Sequence, residues 1–296
     1  MLDGSQQKGR KVMNRKEPGF QNEGKVPTTG LQSFARGLVY SSVSLLLAIH
    51  VLASDGPITV SDVQHQGQES FKVATASATY IFHKQGAGFA GLIDKDGKDW
   101  ISYRPGGGSA GEYRGIPKCG QCFHPGYTNS MSRLIRAEAK HVTIEAETLD
   151  KGYRCQWDIF SDCATFTLLK TGTNYWFLYE GTPGGKLEEA KQFMVRSTGE
   201  KTPLSQVWSQ DIPAPEWLYF ADRTIQRSLL LIHHEDDDIV DQYWPMEGNM
   251  TVFGFGRKYK TTDRYLTKTP ARFTIALCES LDFDTIRRQA RSLLSQ

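Results

Sequence analysis

The strongest constraint on this chain is period-two alternation. Residues 71–75 and 78–83 set β-branched and aromatic side chains against polar ones, and 89–93 continues the pattern after a Gly-Ala-Gly turn. Side chains on a strand point to opposite faces in turn, so the pattern suits sheets buried on one side. Further segments of this kind lie at 100–103, 142–147, 154–160, 164–170, 217–220, 228–233, 250–255 and 271–277, and 175–180 is apolar throughout, as a central strand would be. Only 187–194 and 282–294 carry helical spacing; in the second, Asp282 or Asp284 can cap a turn leading to Ile286, Ala290 and Leu293. No unit repeats at the period of propellers or solenoids. The expected fold is all-β: a two-layer antiparallel β-sandwich with few short helices.

The N-terminal part departs from this pattern. Residues 1–37 are polar and carry seven Lys/Arg against three acidic residues, a net +4. Residues 38–53 are uncharged and mostly apolar, follow Arg36, and end at Ala53. A positive flank, an apolar stretch and a small terminal residue read as a secretory signal cleaved after Ala53. An uncleaved anchor is the alternative, although a spanning helix needs about 20 apolar residues. The expected organisation is a leader and signal at 1–53 and one domain at 54–296. The mature protein would be secreted or periplasmic, without a membrane contact after cleavage. The whole chain is +2, which leaves −2 for residues 54–296. A near-neutral domain argues against nucleic acid as a partner.

Five cysteines fall in that domain. Cys119-Gly120-Gln121-Cys122 lacks the second pair of a zinc ribbon and the βαβ setting of a thioredoxin motif. If Ser161-Asp162 is a two-residue turn, Phe160 pairs with Cys163 and Cys155 faces Leu168. Cys155 and Cys163 then point to opposite faces and cannot bond. A disulfide, if one forms, involves Cys119 or Cys122.

Two polar clusters interrupt the strands. The first closes the long loop from 104 to 127, where Tyr113, Arg114, His124 and Tyr127 fall close together. Arg suits a carboxylate through its planar fork, His titrates near neutrality, and Tyr can supply a proton. The second is His233-His234-Glu235-Asp236-Asp237-Asp238, at the end of an apolar strand. Strand parity puts His234 on the face of Leu230 and Ile232, and His233 on that of Leu229 and Leu231. A His with two carboxylates would suit a transition ion and the Asp run would suit Ca²⁺, so a divalent cation is one reading, and a solvated acidic turn is another. No metal site or cofactor is assigned. Tyr243, Trp244 and Glu247 follow, with aromatic faces able to stack on a sugar, and Glu180 ends the most apolar strand.

From Tyr80 to Tyr127 the order is a strand, a glycine turn, Leu92-Ile93-Asp94-Lys95-Asp96-Gly97, then Arg114-Gly115-Ile116-Pro117 and Phe123-His124-Pro125-Gly126. This resembles the opening of the galactose-mutarotase-like supersandwich proteins, which include aldose epimerases and domains of polysaccharide lyases and hydrolases. Where the family has two glycines before Ile-Pro, this chain has Gly115 alone. The resemblance implies a supersandwich fold and a sugar ligand, a polysaccharide or oligosaccharide.

The leading expectation is a polysaccharide lyase acting on a uronate by β-elimination. Arg114 would hold the carboxylate, His124 or one of His233 and His234 would be the base, and Tyr127 the acid. Tyr113, Glu180, Asp236, Asp237, Tyr243, Trp244 and Glu247 would contact substrate. The alternatives are a non-catalytic carbohydrate-binding module, a glycoside hydrolase drawing two carboxylates from Glu180, Asp236, Asp237 and Glu247, and a structural surface protein. The leading reading requires the 114–127 loop and the 233–247 segment to share one cleft. No Gly-x-Ser-x-Gly elbow on a strand-to-helix turn and no Gly-x-Gly-x-x-Gly opening a helix after a strand is present, which weakens esterase and dinucleotide readings.

Overall fold

Alternation resolves into two antiparallel sheets of nine strands each. The computed structural model describes residues 56–105, 114–120, 122–246, 248–258 and 263–296. The leader and signal expected at 1–53, together with Tyr113 and Glu247, lie outside the described residues. The described residues fall in one unit, Val51–Gln296.

Numbered along the chain, the first sheet runs β1 (Thr59–His65), β2 (Gln68–Ala74), β3 (Ala78–His83), β4 (Gly88–Asp94), β5 (Gly115–Lys118), β10 (Phe177–Gly181), β17 (Met250–Phe255), β16 (Asp241–Met246) and β13 (Trp208–Gln210). The second runs β12 (Lys201–Pro203), β11 (Gln192–Arg196), β14 (Trp217–Asp222), β15 (Arg227–His233), β18 (Ala271–Cys278), β9 (Ala164–Lys170), β8 (Arg154–Ile159), β7 (His141–Thr148) and β6 (Ser130–Glu138). One α-helix, α1 (Phe283–Leu294), closes the described chain.

The two sheets bury a common aromatic layer. Phe89 packs on Trp157 at 4.2 Å between ring centroids, and Phe177 lies parallel to Phe273 at 4.3 Å. Removing one such ring costs about 3–5 kcal/mol, so this layer fixes the spacing of the sheets. Helix α1 covers the other face of the second sheet. Asp282 caps it by accepting from the Thr285 N–H, and Ile286, Ala290 and Leu293 pack with Trp217, Leu230 and Ile232.

Several expectations change. Residues 187–194 form no helix: from Gln192 the chain enters β11, whose five residues are all buried, with Phe193 and Val195 on one side and Met194 on the other. Burial on both faces overrides the helical spacing of this stretch. Residues 100–103 make no strand; Trp100 instead bonds back to Asp94 through its indole N–H, at 3.1 Å. The long loop contains β5, which links β4 to β10 within the first sheet.

The hairpin reading holds. The Phe160 N–H donates to the Cys163 carbonyl and Cys155 pairs with Leu168. Cys155 joins the layer between the sheets, while Cys163 lies on the side of α1. All five cysteines are free and buried.

Candidate functional site

The outer face of the first sheet carries the site. Phe177 and Tyr179 of β10 point into the shared core, so Leu178 and Glu180 point away from it. In register across the neighbouring strands stand Gly115 of β5, Glu180 of β10, Val252 of β17 and Trp244 of β16. Adjacent strands are about 4.8 Å apart, which sets Trp244 about 10 Å from Glu180 at the backbone. Trp244 is half-buried, and Leu178, Met250 and Val252 make the floor beside it apolar.

Over Gly115 sits His124. The loop that carries it is docked on the β3–β4 turn: the His124 N–H donates to the Gly86 carbonyl, and a Cβ at Gly86 would meet the His124 carbonyl oxygen at 2.2 Å. Gly115 is equally constrained, because a Cβ there would meet Pro125 Cγ at 2.2 Å and His124 Nε2 at 3.2 Å. Two glycines of the segment thus create the space in which the imidazole lies. His83 adds a third anchor, its Nδ1 2.8 Å from the Pro125 carbonyl oxygen and its Nε2 3.0 Å from His65 Nδ1.

The Gly126 N–H donates to His124 Nδ1 at 2.9 Å, so the ring proton resides on Nε2, 3.4 Å from Glu180 Oε2. His124 is fully buried, and burial holds its pKa below the ordinary value, although Glu180 pulls the other way. At neutral pH the imidazole is therefore a neutral donor. Tyr127 lies 5.5 Å from the His124 ring, and its hydroxyl is in contact with Lys118 Nζ. Burial lowers the pKa of Lys118 and of Arg257, and Glu180 acts on both in the opposite direction. A neutral imidazole donor, a carboxylate, a phenol and two basic side chains therefore lie together.

Arg114 takes a different part. Its guanidinium is buried and donates to the carbonyl oxygens of Ser102 and Asn249, each at 3.1 Å. The fork joins the loop to the β16–β17 turn instead of offering two parallel donors to a carboxylate.

The second cluster lies elsewhere. His233 ends β15 in the second sheet and stacks on Phe273 at 4.6 Å, within the layer between the sheets. Its Nδ1 is 2.5 Å from Glu216 Oε2 and 3.9 Å from Asp237 Oδ2. Burial raises Glu216 to about 9 and lowers His233, so the pair is held with its proton and without net charge on the ring. A pocket of about 380 Å³ opens in front, lined by Tyr175, His233, Asp236, Asp237, Tyr265 and Lys268 among others. Tyr175 is five positions before Glu180 along the β10 segment, about 17 Å of extended chain.

The structure thus joins Arg114, His124, Tyr127, Glu180 and Trp244 around one face, and does not join them to His233 or His234. The backbone of β10 stands between His124 and the layer in which His233 is stacked. The expectation of a single cleft formed by both clusters is corrected accordingly. His234 points to the opposite side of its sheet, with Nε2 2.8 Å from Thr274 Oγ1, as strand parity requires. Tyr243 is also corrected: it is fully buried, and its hydroxyl donates to the Leu204 carbonyl, so it packs the core and lines no groove. Asp236 is exposed and Asp237 half-buried, both beside the second pocket and away from His124.

Lys118, Arg257, His83 and Glu216 were not singled out from the sequence. Parity would have set Lys118 on the inner face with Ile116; the register shift that pairs it with Leu178 while Gly115 pairs with Glu180 brings it to the outer face.

No protein-family model matches the sequence, and no curated protein matches it. Among solved structures, HI1317 is similar with a TM-score of 0.52 at 14% identity, over 74% of this chain and 96% of that one. A putative mutarotase, YeaD, from Salmonella typhimurium matches with a TM-score of 0.49 at 12% identity, over 75% and 97%. A galactose mutarotase related enzyme from Lactobacillus acidophilus matches with a TM-score of 0.45 at 8% identity, over 76% and 99%. What the likeness to HI1317 shows is the fold.

Proposed function

We propose that the protein binds a carbohydrate on the outer face of the first sheet and transfers protons on it. The observation that carries this reading is the His124–Glu180 pair, an imidazole N–H aimed at a carboxylate at 3.4 Å, in a row that ends on the half-buried Trp244. A sugar ring laid along the row would stack on the indole and present its polar edge to the pair.

The finer reading is β-elimination at a uronate, with roles redistributed from the sequence expectation. Arg114 is engaged by two carbonyls, which leaves Lys118 and Arg257 to neutralise the substrate carboxylate. Tyr127, whose hydroxyl meets Lys118 Nζ beside the His124 ring, is placed to act as the base. It would take the C5 proton; the electron pair forms the C4–C5 double bond, the C4–O bond breaks, and Tyr127 passes its proton to the leaving oxygen, which His124 Nε2–H holds by a hydrogen bond. Asp236 and Asp237 lie away from this face, so a hydrolase built on them with Glu180 is not favoured. A second reading is favoured by the His124–Glu180 geometry itself. A donor and an acceptor facing one position, with no need for a cation, would serve ring opening of a free aldose. Export through residues 38–53 belongs to the proposal and is checked by fractionating cells that express the full chain.

Incubation with a panel of uronate polysaccharides, followed by absorbance of the unsaturated product, tests the lyase. The expected result is turnover that falls about 100-fold or more in His124→Gln and Tyr127→Phe. Accelerated exchange of aldose anomers by NMR, without unsaturated product, would replace elimination by ring opening. Sugar binding that depends on Trp244 with neither reaction would leave a binding module, and no affinity for any glycan would sink the whole reading.

A further inference from the structure

Glu216, His233 and Asp237 form a second constellation that the proposed sugar site does not use. Their ligand atoms all lie within 4.8 Å of one another. Two of the three are fixed by the sheet. Glu216 directly precedes β14, and the His233 N–H donates to its carbonyl at 3.0 Å across the β14–β15 pair. Glu216 and His233 are 2% and 3% exposed, so neither has bulk water to satisfy it. The third residue, Asp237, comes from the loop after β15. It is oriented from both sides: its own N–H donates to Glu216 Oε1 at 2.9 Å, and its Oδ1 accepts from the Ile239 N–H at 2.7 Å. Its Oδ2 is left facing the imidazole.

The surroundings favour a cation. Glu235, Asp236 and Asp238 border the pocket, and the nearby Asp211 adds to the negative field. Asp211 Oδ1 is a buried carboxylate oxygen with no hydrogen-bond partner. Against these stand Lys268 in the pocket wall and Arg272, which is already paired with Glu235 at 3.2 Å.

We propose that Glu216, His233 and Asp237 bind a divalent transition-metal ion, of the zinc class, at the rim of the pocket. One imidazole nitrogen and two carboxylate oxygens suit such an ion better than Ca²⁺ or Mg²⁺, which take oxygen ligands alone. Ligand atoms of a tetrahedral site with bonds of about 2.0–2.1 Å are separated by about 3.4 Å. The 2.5 Å Glu216–His233 contact would open and the 3.9 Å Asp237–His233 separation would close, each by less than about 1 Å. Binding releases the proton now held between Glu216 and His233 Nδ1. The imidazole proton then resides on Nε2, on the side of Glu235, whose Oε2 is 4.0 Å away. The fourth position opens on the pocket, where a water or an anionic ligand group would complete the site.

The test uses the full chain, stripped with chelator and titrated with Zn²⁺, Co²⁺, Ca²⁺ and Mg²⁺ by calorimetry, with Co²⁺ also followed by absorbance. The expected result is one equivalent of Zn²⁺ or Co²⁺ in preference to Ca²⁺ and Mg²⁺. The Co²⁺ spectrum should lack thiolate charge transfer, and Tm should rise by about 5–10 °C at a hundredfold excess over Kd. Glu216→Gln and Asp237→Asn should each weaken binding at least about tenfold. Asp237 is half-buried and on a loop, so its variant keeps the fold if Glu216→Gln does not. Three results would overturn the site: no binding of any ion, binding unchanged in Asp237→Asn, or a thiolate band that moves the ion to the cysteines.

Discussion

Two regions of this molecule set a buried histidine against a glutamate, and their differences assign them different ligands. On the outer face of the first sheet, His124 and Glu180 stand 3.4 Å apart with Lys118 and Arg257 close by. At the rim of the second sheet, His233 and Glu216 are 2.5 Å apart, and their neighbours are almost all acidic. In the first, cations offset the carboxylate, so a polar or anionic ligand is favoured. In the second, a proton replaces the missing cation, and Glu216 is raised to about 9 by burial with Asp237, Asp211 and Asp236 adding to it. The residue types are the same; the sign of the surrounding field differs.

The contrast can be broken most directly at His124. His124→Gln removes the imidazole N–H aimed at Glu180 and the leaving oxygen, and should lower turnover about 100- to 1,000-fold while sugar affinity changes far less. The same kcat-against-Kd comparison on His233→Gln should leave turnover near wild type; a loss comparable to that of His124→Gln would mean the two regions act as one. Next in size is Gly115→Ala. Its methyl group would enter the space of Pro125 Cγ, so we expect about 1–3 kcal/mol of lost stability in urea unfolding, together with displaced His124 and reduced turnover.

The pH dependence of stability sharpens the comparison. Glu216 binds its proton more tightly in the folded state, so its contribution is complete below its unfolded pKa of 4.5 and is lost as pH rises through about 9. His83 and His234 are lowered to about 4, so their contributions are complete above 6.5 and are lost as pH falls towards 4. Urea unfolding of metal-free protein across this range should show decline on both sides, and Glu216→Gln should remove the alkaline decline alone. Smaller effects are expected from Trp244→Ala, which should weaken sugar binding about 2- to 10-fold without altering stability. Arg114→Lys would replace a fork bridging two carbonyls by a single ammonium, costing about 1 kcal/mol in unfolding.

Much of the architecture was legible because it depends on short-range alternation. Strand parity told His233 from His234, and hairpin length told Cys155 from Cys163, since both follow from a side-chain period of two. What misled was burial on both faces. At β11 every residue is inside, so the apolar positions at 187–194 carried no strand period, and helical spacing arose by composition. The long loop concealed β5 because four residues containing a proline and a glycine show no pattern.

The candidate site was half legible. Arg114, His124, Tyr127, Glu180 and Trp244 were recognised by chemical type, yet only the fold revealed that Arg114 spans two backbone carbonyls and that Tyr243 is core. Glu216 gave no signal at all: a single glutamate after Ala214-Pro215 acquires meaning only when β14 pairs with β15. Local sequence determined the strands, their faces and the α1 cap, because those depend on neighbours within a few residues. Tertiary structure decided which histidine met which carboxylate and under what charge, because those partners come from strands far apart in the chain, brought together by sheet order and by burial that no local period encodes.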